Sequence, residues 1–158
     1  MSTGFSAITV SLAAFVHHAA VFAIVAALVV ELALIRMPLT PGSARRIQRA
    51  DLAYGIAAGV VLAIGFFRVF YFEKGSAYYF QNGAFIAKVT LFAIIALVSI
   101  YPTLEFLSWG KALKQGVLPE VTDRKLRIIR SVIHWELVGL LAMMLCAALM
   151  AKGVGVFG

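Results

Sequence analysis

The sequence has little of what a soluble protein uses to fold and to stay in water. It has one cysteine, Cys146, which excludes an intrachain disulfide, and its apolar surroundings are typical of a small buried hydrophobe. Charged residues make up only 13% of the chain and hydrophobic residues 63%, whereas soluble domains are about 45–50% apolar. With a mean hydropathy of +0.98, the composition predicts an integral membrane protein.

Motifs of soluble enzymes are also lacking. The chain has no nucleotide-binding loop, no HExxH zinc motif and no nucleophile elbow. Its first residues, MSTGFSAITV, contain no positively charged segment, so we expect the first hydrophobic stretch to be a retained helix and not a cleaved signal peptide. Any enzyme activity would therefore use redox or proton chemistry supplied by a cofactor.

Four hydrophobic stretches are each long enough to cross a bilayer, which takes about 20 residues. They run from about Leu12 to Ile35, Leu52 to Phe70, Ala84 to Leu107, and Ile129 to Ala151. The connections between them are short and leave no room for a soluble domain. We therefore predict a single transmembrane domain over residues 1–158, with an all-α fold: an integral membrane four-helix bundle.

Basic residues predict the orientation of this bundle. Ten of the fourteen lie in or beside the connections between the first and second stretches and between the third and fourth. The positive-inside rule assigns those connections to the cytoplasm, so both termini face the outer, periplasmic side of a bacterial inner membrane. The basic clusters then set orientation and contact anionic lipid headgroups. No soluble basic face remains, which excludes nucleic acid as a partner.

Ionisable residues at membrane depth are the main sign of function. Burying one in hydrocarbon costs about 2.5–3.5 kcal/mol, so such residues are expected to face a bundle interior or a polar cavity. The helix rise of 1.5 Å per residue sorts them into two layers. The outer layer is cationic and rich in imidazole, and it contains His17, His18, Arg68 and Lys88. The inner layer is rich in acids, and it contains Glu31, Tyr101, Glu105, His134 and Glu136.

Helical periodicity predicts which of these residues share a face. At about 100° per residue, His17 and Glu31 fall within about 40° of one another and should both look into the bundle. His134 and Glu136 point to nearly opposite faces, so they cannot both line one narrow cavity.

Local signals predict helix ends and one helix contact. Asp51 is a candidate N-cap of the second helix, and Thr122 or Asp123 of the fourth. Gly55 and Gly59 form a GxxxG pair that predicts close packing against a neighbouring helix.

The outer layer suits an anionic ligand. The imidazole of His18, or of His17, could bind a haem iron, and Arg68 and Lys88 could pair with the haem propionates. A quinone head group suits the same side chains. In the alternative, Arg68 and Lys88 extend to the outer headgroups and bind nothing else. A His18–His134 pair is excluded as the two haem ligands, because the residues differ in depth by about 15 Å or more.

Copper is a further alternative, because imidazole and thioether ligands both suit it. However, Met143, Met144 and Met150 show no organised ligand spacing.

Three segments carry a family resemblance. FRVFYFEKG ends the second helix, GAFIAKVTLF begins the third and SIYPTLEF ends it. With these the chain resembles a family of small bacterial predicted membrane proteins with four helices. More distantly, it resembles the HemJ-type protoporphyrinogen oxidases and the CopD-like membrane domains.

The HemJ resemblance extends over all four helices through single residues. That family has a histidine early in its first helix, an arginine at the cytoplasmic end of that helix, a lysine opening its third helix and an Asn–Glu pair in its fourth. The corresponding residues here are His17 or His18, Arg36, Lys88 and the pair Trp135–Glu136. Tryptophan thus replaces the asparagine, Arg68 is an additional charge, and the proline expected after the glutamate is absent. The resemblance implies a haem-binding four-helix scaffold.

Together these observations predict a haem b-binding redox protein of the inner membrane, active in electron transfer or porphyrin oxidation. As an enzyme it would be a haem-dependent membrane oxidoreductase with a quinone or porphyrin substrate. The cofactor-binding residues would be His17, His18, Arg68 and Lys88, with His18 on the iron. Glu136 and Glu31 would be catalytic, handling protons.

Two alternatives remain open. One is a carrier or accessory subunit with no cofactor, whose polar residues form a copper or proton path. The other is a structural membrane subunit, whose polar residues serve helix pairing. A homo-oligomer is an expected assembly, and the lipid bilayer is the main partner.

Overall fold

In a computed structural model of the chain, residues 6–72 and 81–154 are described, and the elements among them are all helical. They are α1 Ala7–Ile35, α2 Pro41–Phe67, α3 Gly83–Ser108, α4 Gly110–Lys114 and α5 Asp123–Ala151. A π-helical segment, Arg68–Phe72, continues α2. Four helices, α1, α2, α3 and α5, are long and apolar enough to cross a membrane. The all-α fold with four membrane-spanning helices is thus confirmed.

The second helix begins earlier than hydropathy predicts. Thr40 and Ser43 form a capping box, in which the Ser43 N–H donates to Thr40 Oγ1 at 3.1 Å and the Thr40 N–H donates to Ser43 Oγ at 2.8 Å. Pro41 occupies the first turn, where its missing N–H costs nothing. Asp51 is therefore not the N-cap of α2, and that prediction is wrong. It lies in the third turn of the helix.

Side-chain caps also begin the other long helices. Thr122 accepts from the Lys125 N–H and begins α5, which confirms one of the two predicted caps there. Asn82 accepts from the N–H groups of Ala84 and Phe85 at 2.9 and 3.2 Å and begins α3. These caps satisfy backbone donors that have no partner within the helix.

The bundle is packed most tightly at the end where the two basic connections lie, which we call the basic end. Fully buried side chains there include Ile35, Ile47, Phe106, Ile129 and Ile133. Hydrogen bonds from long polar side chains to carbonyl groups tie the helices together at this end. Arg130 Nε donates to Ile35 O, Arg45 Nη2 to Leu113 O and Gln48 Nε2 to Phe106 O.

The four long helices are packed as two pairs with an open side. Helix α1 packs along α2, α3 packs along α5, and α1 also contacts α5, whereas α2 and α3 contact each other little. In the α3–α5 pair, a Cβ at Gly139 would lie 2.5 Å from Ile95 Cδ1, so this glycine permits the close approach.

The predicted GxxxG contact is not made within the described chain. Nothing among the described residues lies within 4 Å of a Cβ built at Gly55 or Gly59, and both residues are exposed. Small residues alone do not specify whether a helix face packs against another helix of the same chain, so the GxxxG pattern could not predict this contact.

Candidate functional site

The two adjacent histidines of α1 have opposite environments. His17 is 8% exposed, and its imidazole interacts with the backbone of Val61 on α2. Within the described residues its Nδ1 has no hydrogen-bond partner. His18 is exposed, and its Nδ1 lies 2.6 Å from the carbonyl oxygen of Ala14 in the preceding turn. His17 is therefore the histidine that faces the bundle, in agreement with the inward face that helical periodicity predicts for it.

Three elements bring the outer layer together. Arg68, where α2 passes into the π-helical segment, and Lys88 in α3 both act electrostatically on the His17 ring. Gly65 lies beside that ring, because a Cβ built on it would be 3.6 Å from His17 Cε1. The structure thus places His17, Arg68 and Lys88 in one cationic region, with His18 at its outer edge.

The inner layer is built around three buried carboxyl groups, which we call the acidic cluster: Glu31 of α1, Asp51 of α2 and Glu136 of α5. Glu31 and Glu136 are each 2% exposed and Asp51 8%. Glu31 interacts electrostatically with Asp51 and with Glu136, and Glu136 interacts with Asp51. One carboxyl group thus comes from each of three long helices.

Hydroxyl groups cover one side of the acidic cluster. Thr103 Oγ1 of α3 donates to Asp51 Oδ1 at 2.7 Å. Tyr54, one turn after Asp51, is buried, and its hydroxyl interacts with the Ser99 side chain. The Ser99 hydroxyl donates its proton to Ala96 O at 2.9 Å.

Two carboxyl oxygens of the acidic cluster are unsatisfied. In the part of the chain that the structure describes, Glu31 Oε1 and Glu136 Oε1 are buried without a hydrogen-bond partner. Moving a carboxylate from water into a protein interior costs several kcal/mol per ion, and nearby like charges add to that cost. The cluster therefore requires bound protons or a bound cation to exist in this form.

The three carboxyl groups of the acidic cluster do not form a metal-ligand group in this structure. Across residues 6–72 and 81–154, no three His, Cys, Asp or Glu side chains are arranged so that they could hold a metal together. A carboxyl group needs only one neighbour to pass a proton, so the looser arrangement suits proton exchange.

Other residues expected in the inner layer lie outside the cluster. His134 and Tyr101 are exposed, and Trp135 is 65% exposed. Because Glu136 is buried, the expectation that His134 and Glu136 face opposite ways is confirmed. Glu105 forms a 2.8 Å ion pair with Lys125 at the basic end.

Sequence reasoning missed the contribution of α2 and α3 to the acidic cluster: Asp51, Tyr54, Ser99 and Thr103. Two signals could have found it. The T-x-x-S capping box starts α2 at Pro41 and so moves Asp51 into the helix interior. The three-residue spacing of Asp51 and Tyr54, and the four-residue spacing of Ser99 and Thr103, then give each pair a common face.

Asp51 of the acidic cluster lines a groove on the open side of the bundle, between α2 and α3. The groove has a wide section of about 680 Å³ at the basic end and a narrow section of about 270 Å³. Asp51, Gly55 and Thr103 line both sections, so the two are continuous. Asp51 is thus the member of the acidic cluster that meets the open part of the groove.

Comparison with known proteins agrees with the fold. Residues 9–155 match the family model described as "Predicted membrane protein (DUF2214)". The match includes most of all four membrane-spanning helices and every member of the acidic cluster. No curated protein and no solved structure matches the chain.

Proposed function

Since the chain belongs to the DUF2214 family of predicted membrane proteins, we propose that its acidic cluster lies within a bilayer and that the protein binds and moves protons there. Protons reach the acidic cluster from the basic end and leave it on the opposite side of the membrane. We place the basic end in the cytoplasm and the protein in the bacterial inner membrane, on the strength of the positive-inside rule.

One observation carries this proposal. Glu31 and Glu136 are almost fully buried, they come from different helices, and each keeps a carboxyl oxygen without a partner among the described residues. An unsatisfied buried polar atom costs about 1–3 kcal/mol. Carboxyl groups used only to hold helices together would be expected to have that atom satisfied. An open acceptor beside another carboxyl group is what proton exchange needs.

The groove supplies a route to Asp51, which is the member of the acidic cluster nearest the basic end of the groove. Asp51 lines the wide section, which also contains Gln48 and Arg49, and it acts electrostatically on both glutamates. Behind it lie the Tyr54 and Ser99 hydroxyls, each of which can donate and accept a hydrogen bond. A proton entering at the basic end therefore meets Asp51 first and the buried glutamates next.

Proton flux into liposomes tests the proposal. Purified protein is reconstituted with a pH-sensitive dye inside, and a potassium diffusion potential is applied. We expect flux above that of empty liposomes, reduced at least about tenfold by Glu31→Gln, which removes a proton site while keeping the shape. The control is Glu105→Gln, outside the acidic cluster, which should keep the wild-type flux. Equal flux from wild type and Glu31→Gln would refute the proposal.

A second candidate function is redox chemistry at the outer layer, favoured by the buried Nδ1 of His17. That nitrogen is unpartnered within the described residues and lies in a region shared with Arg68 and Lys88. His17 is a better candidate ligand than His18, whose Nδ1 already lies 2.6 Å from a carbonyl oxygen. Arg68 and Lys88 would hold propionates or a quinone oxygen. A haem b bound here would supply one-electron transfer or porphyrin oxidation.

Absorption spectroscopy separates this candidate from the first. Protein purified after haem supplementation should show a haem spectrum that His17→Ala abolishes and His18→Ala preserves. A colourless preparation that retains proton flux would exclude haem redox chemistry and would leave proton transfer as the remaining candidate function.

A further inference from the structure

The groove between α2 and α3 has a feature that proton transfer does not use: its two sections differ in chemistry. The wide section carries Arg45, Gln48 and Arg49 at the basic end. The narrow section, deeper in the bundle, is lined mainly by apolar side chains, among them Phe92 and Ile95. A groove with a cationic end and an apolar end matches a ligand with an anionic head and a hydrocarbon tail.

The groove is large enough for part of such a ligand, and it is open. Its wide section, at about 680 Å³, falls within the range of about 300–1,000 Å³ typical of ligand pockets. Gly55 lies where the two sections join, and nothing described lies within 4 Å of a Cβ built there. The absence of a side chain at Gly55 keeps the passage between the sections free.

The arginines are suited to a phosphate group. Arg45 donates through Nη2 to Leu113 O at 2.6 Å, which holds its guanidinium beside the groove, and Arg49, one helical turn further on, is exposed. Arginine carries five donors in a planar fork that matches phosphate oxygens. Two such cations on one side of a groove would favour a head group whose phosphate carries a net negative charge over a zwitterionic one, in which a choline cation offsets the phosphate.

We propose that this groove binds one anionic phospholipid from the leaflet at the basic end. Its phosphate lies at Arg45 and Arg49, and one acyl chain runs past Gly55 into the narrow section. A second copy of the chain is a poorer occupant, because two copies in the same orientation would bring their arginine pairs to the same depth. The proposal does not depend on proton transfer.

Native mass spectrometry of the full chain in detergent tests the head-group part. With phosphatidylglycerol or phosphatidylcholine added in turn, we expect one bound phosphatidylglycerol with about tenfold higher affinity, a difference equal to about one charge-assisted contact. Arg49→Gln should remove that preference. Arg46→Gln is the matched control, because Arg46 is an exposed neighbour on the same helix that does not line the groove.

A second pair of variants tests the tail part. Gly55→Leu places a side chain in the groove, whereas Gly59→Leu places the same side chain on the same helix outside it, and both positions have room. We expect only Gly55→Leu to lower the affinity for phosphatidylglycerol. Equal binding of both lipids by wild type and Arg49→Gln would overturn the proposal. So would a wild-type dimer without bound lipid that Gly55→Leu disrupts and Gly59→Leu preserves, which would assign the groove to a second copy.

Discussion

The hydrogen bond between Thr103 and Asp51 gives the sharpest stability prediction, because it joins two helices that otherwise contact each other little. Thr103→Val removes the donor and keeps the shape of the side chain, so it leaves no cavity. Neutral hydrogen bonds between membrane helices contribute about 0.6 kcal/mol on average and up to about 1.7. A bond to a charged acceptor contributes about 1.5–3 kcal/mol.

The position of Asp51 narrows the range of stabilisation that we expect from this hydrogen bond. Its carboxyl group lines the wide section of the groove, so water can replace part of the lost bond. We therefore expect Thr103→Val to lower the free energy of unfolding by about 1–2 kcal/mol. Unfolding in mixed micelles, followed by circular dichroism, measures this. Ser108→Ala is the control, because Ser108 is exposed and bonds only to a carbonyl of its own helix, at Glu105. It should change stability by less than about 0.5 kcal/mol.

A double-mutant cycle separates the bond from other effects of the substitution. Asp51→Leu removes the acceptor, and in that background Thr103→Val has no carboxyl group to leave unsatisfied. We expect its cost there to fall below about 0.5 kcal/mol. If Thr103→Val costs the same with and without Asp51, the hydrogen bond does not stabilise the α2–α3 contact, and the reasoning fails.

Two further predictions concern packing and capping. Gly139→Ala should destabilise the bundle by at most about 2 kcal/mol, because its Cβ would lie 2.5 Å from Ile95 Cδ1 and the overpacking cost of about 1–3 kcal/mol is offset by about 1 kcal/mol of helix propensity. Ile95→Val removes that atom and should lower the cost, as the same micelle unfolding would measure. Thr40→Ala removes the N-cap of α2 and should cost about 1 kcal/mol. Hydrogen exchange should then rise in the first turn of α2 and stay unchanged at the start of α5, which Thr122 caps.

The positions of the helices could be predicted well from the sequence, and their ends less well. Hydropathy found four spans because the spans are apolar throughout. It missed the first turns of α2, because the capping residues and arginines that begin this helix are polar. Asp51 was then interpreted as a cap and not as a buried carboxyl group. A span defined by hydrophobicity excludes the polar helical turns that extend beyond it.

Helical periodicity predicted single residues correctly but could not assemble the site. It placed His17 and Glu31 on the inward face, and both are buried. It could not say which helices are neighbours, since the lipid-facing and bundle-facing sides of these helices are both apolar. Which helices are neighbours decides whether Glu31, Asp51 and Glu136 come together, and it also decides whether Gly55 is exposed or packed against another helix.

Infrared difference spectroscopy of the protein in membranes, between about pH 10 and pH 6 and thus above the range in which exposed carboxyl groups titrate, tests most directly whether the acidic cluster exchanges protons. We predict a carboxyl C=O band that appears on acidification, is weakened in both Glu31→Gln and Glu136→Gln, and is unchanged in Glu105→Gln. The same carboxyl band in wild type and in both cluster variants would contradict a role of the acidic cluster in binding protons.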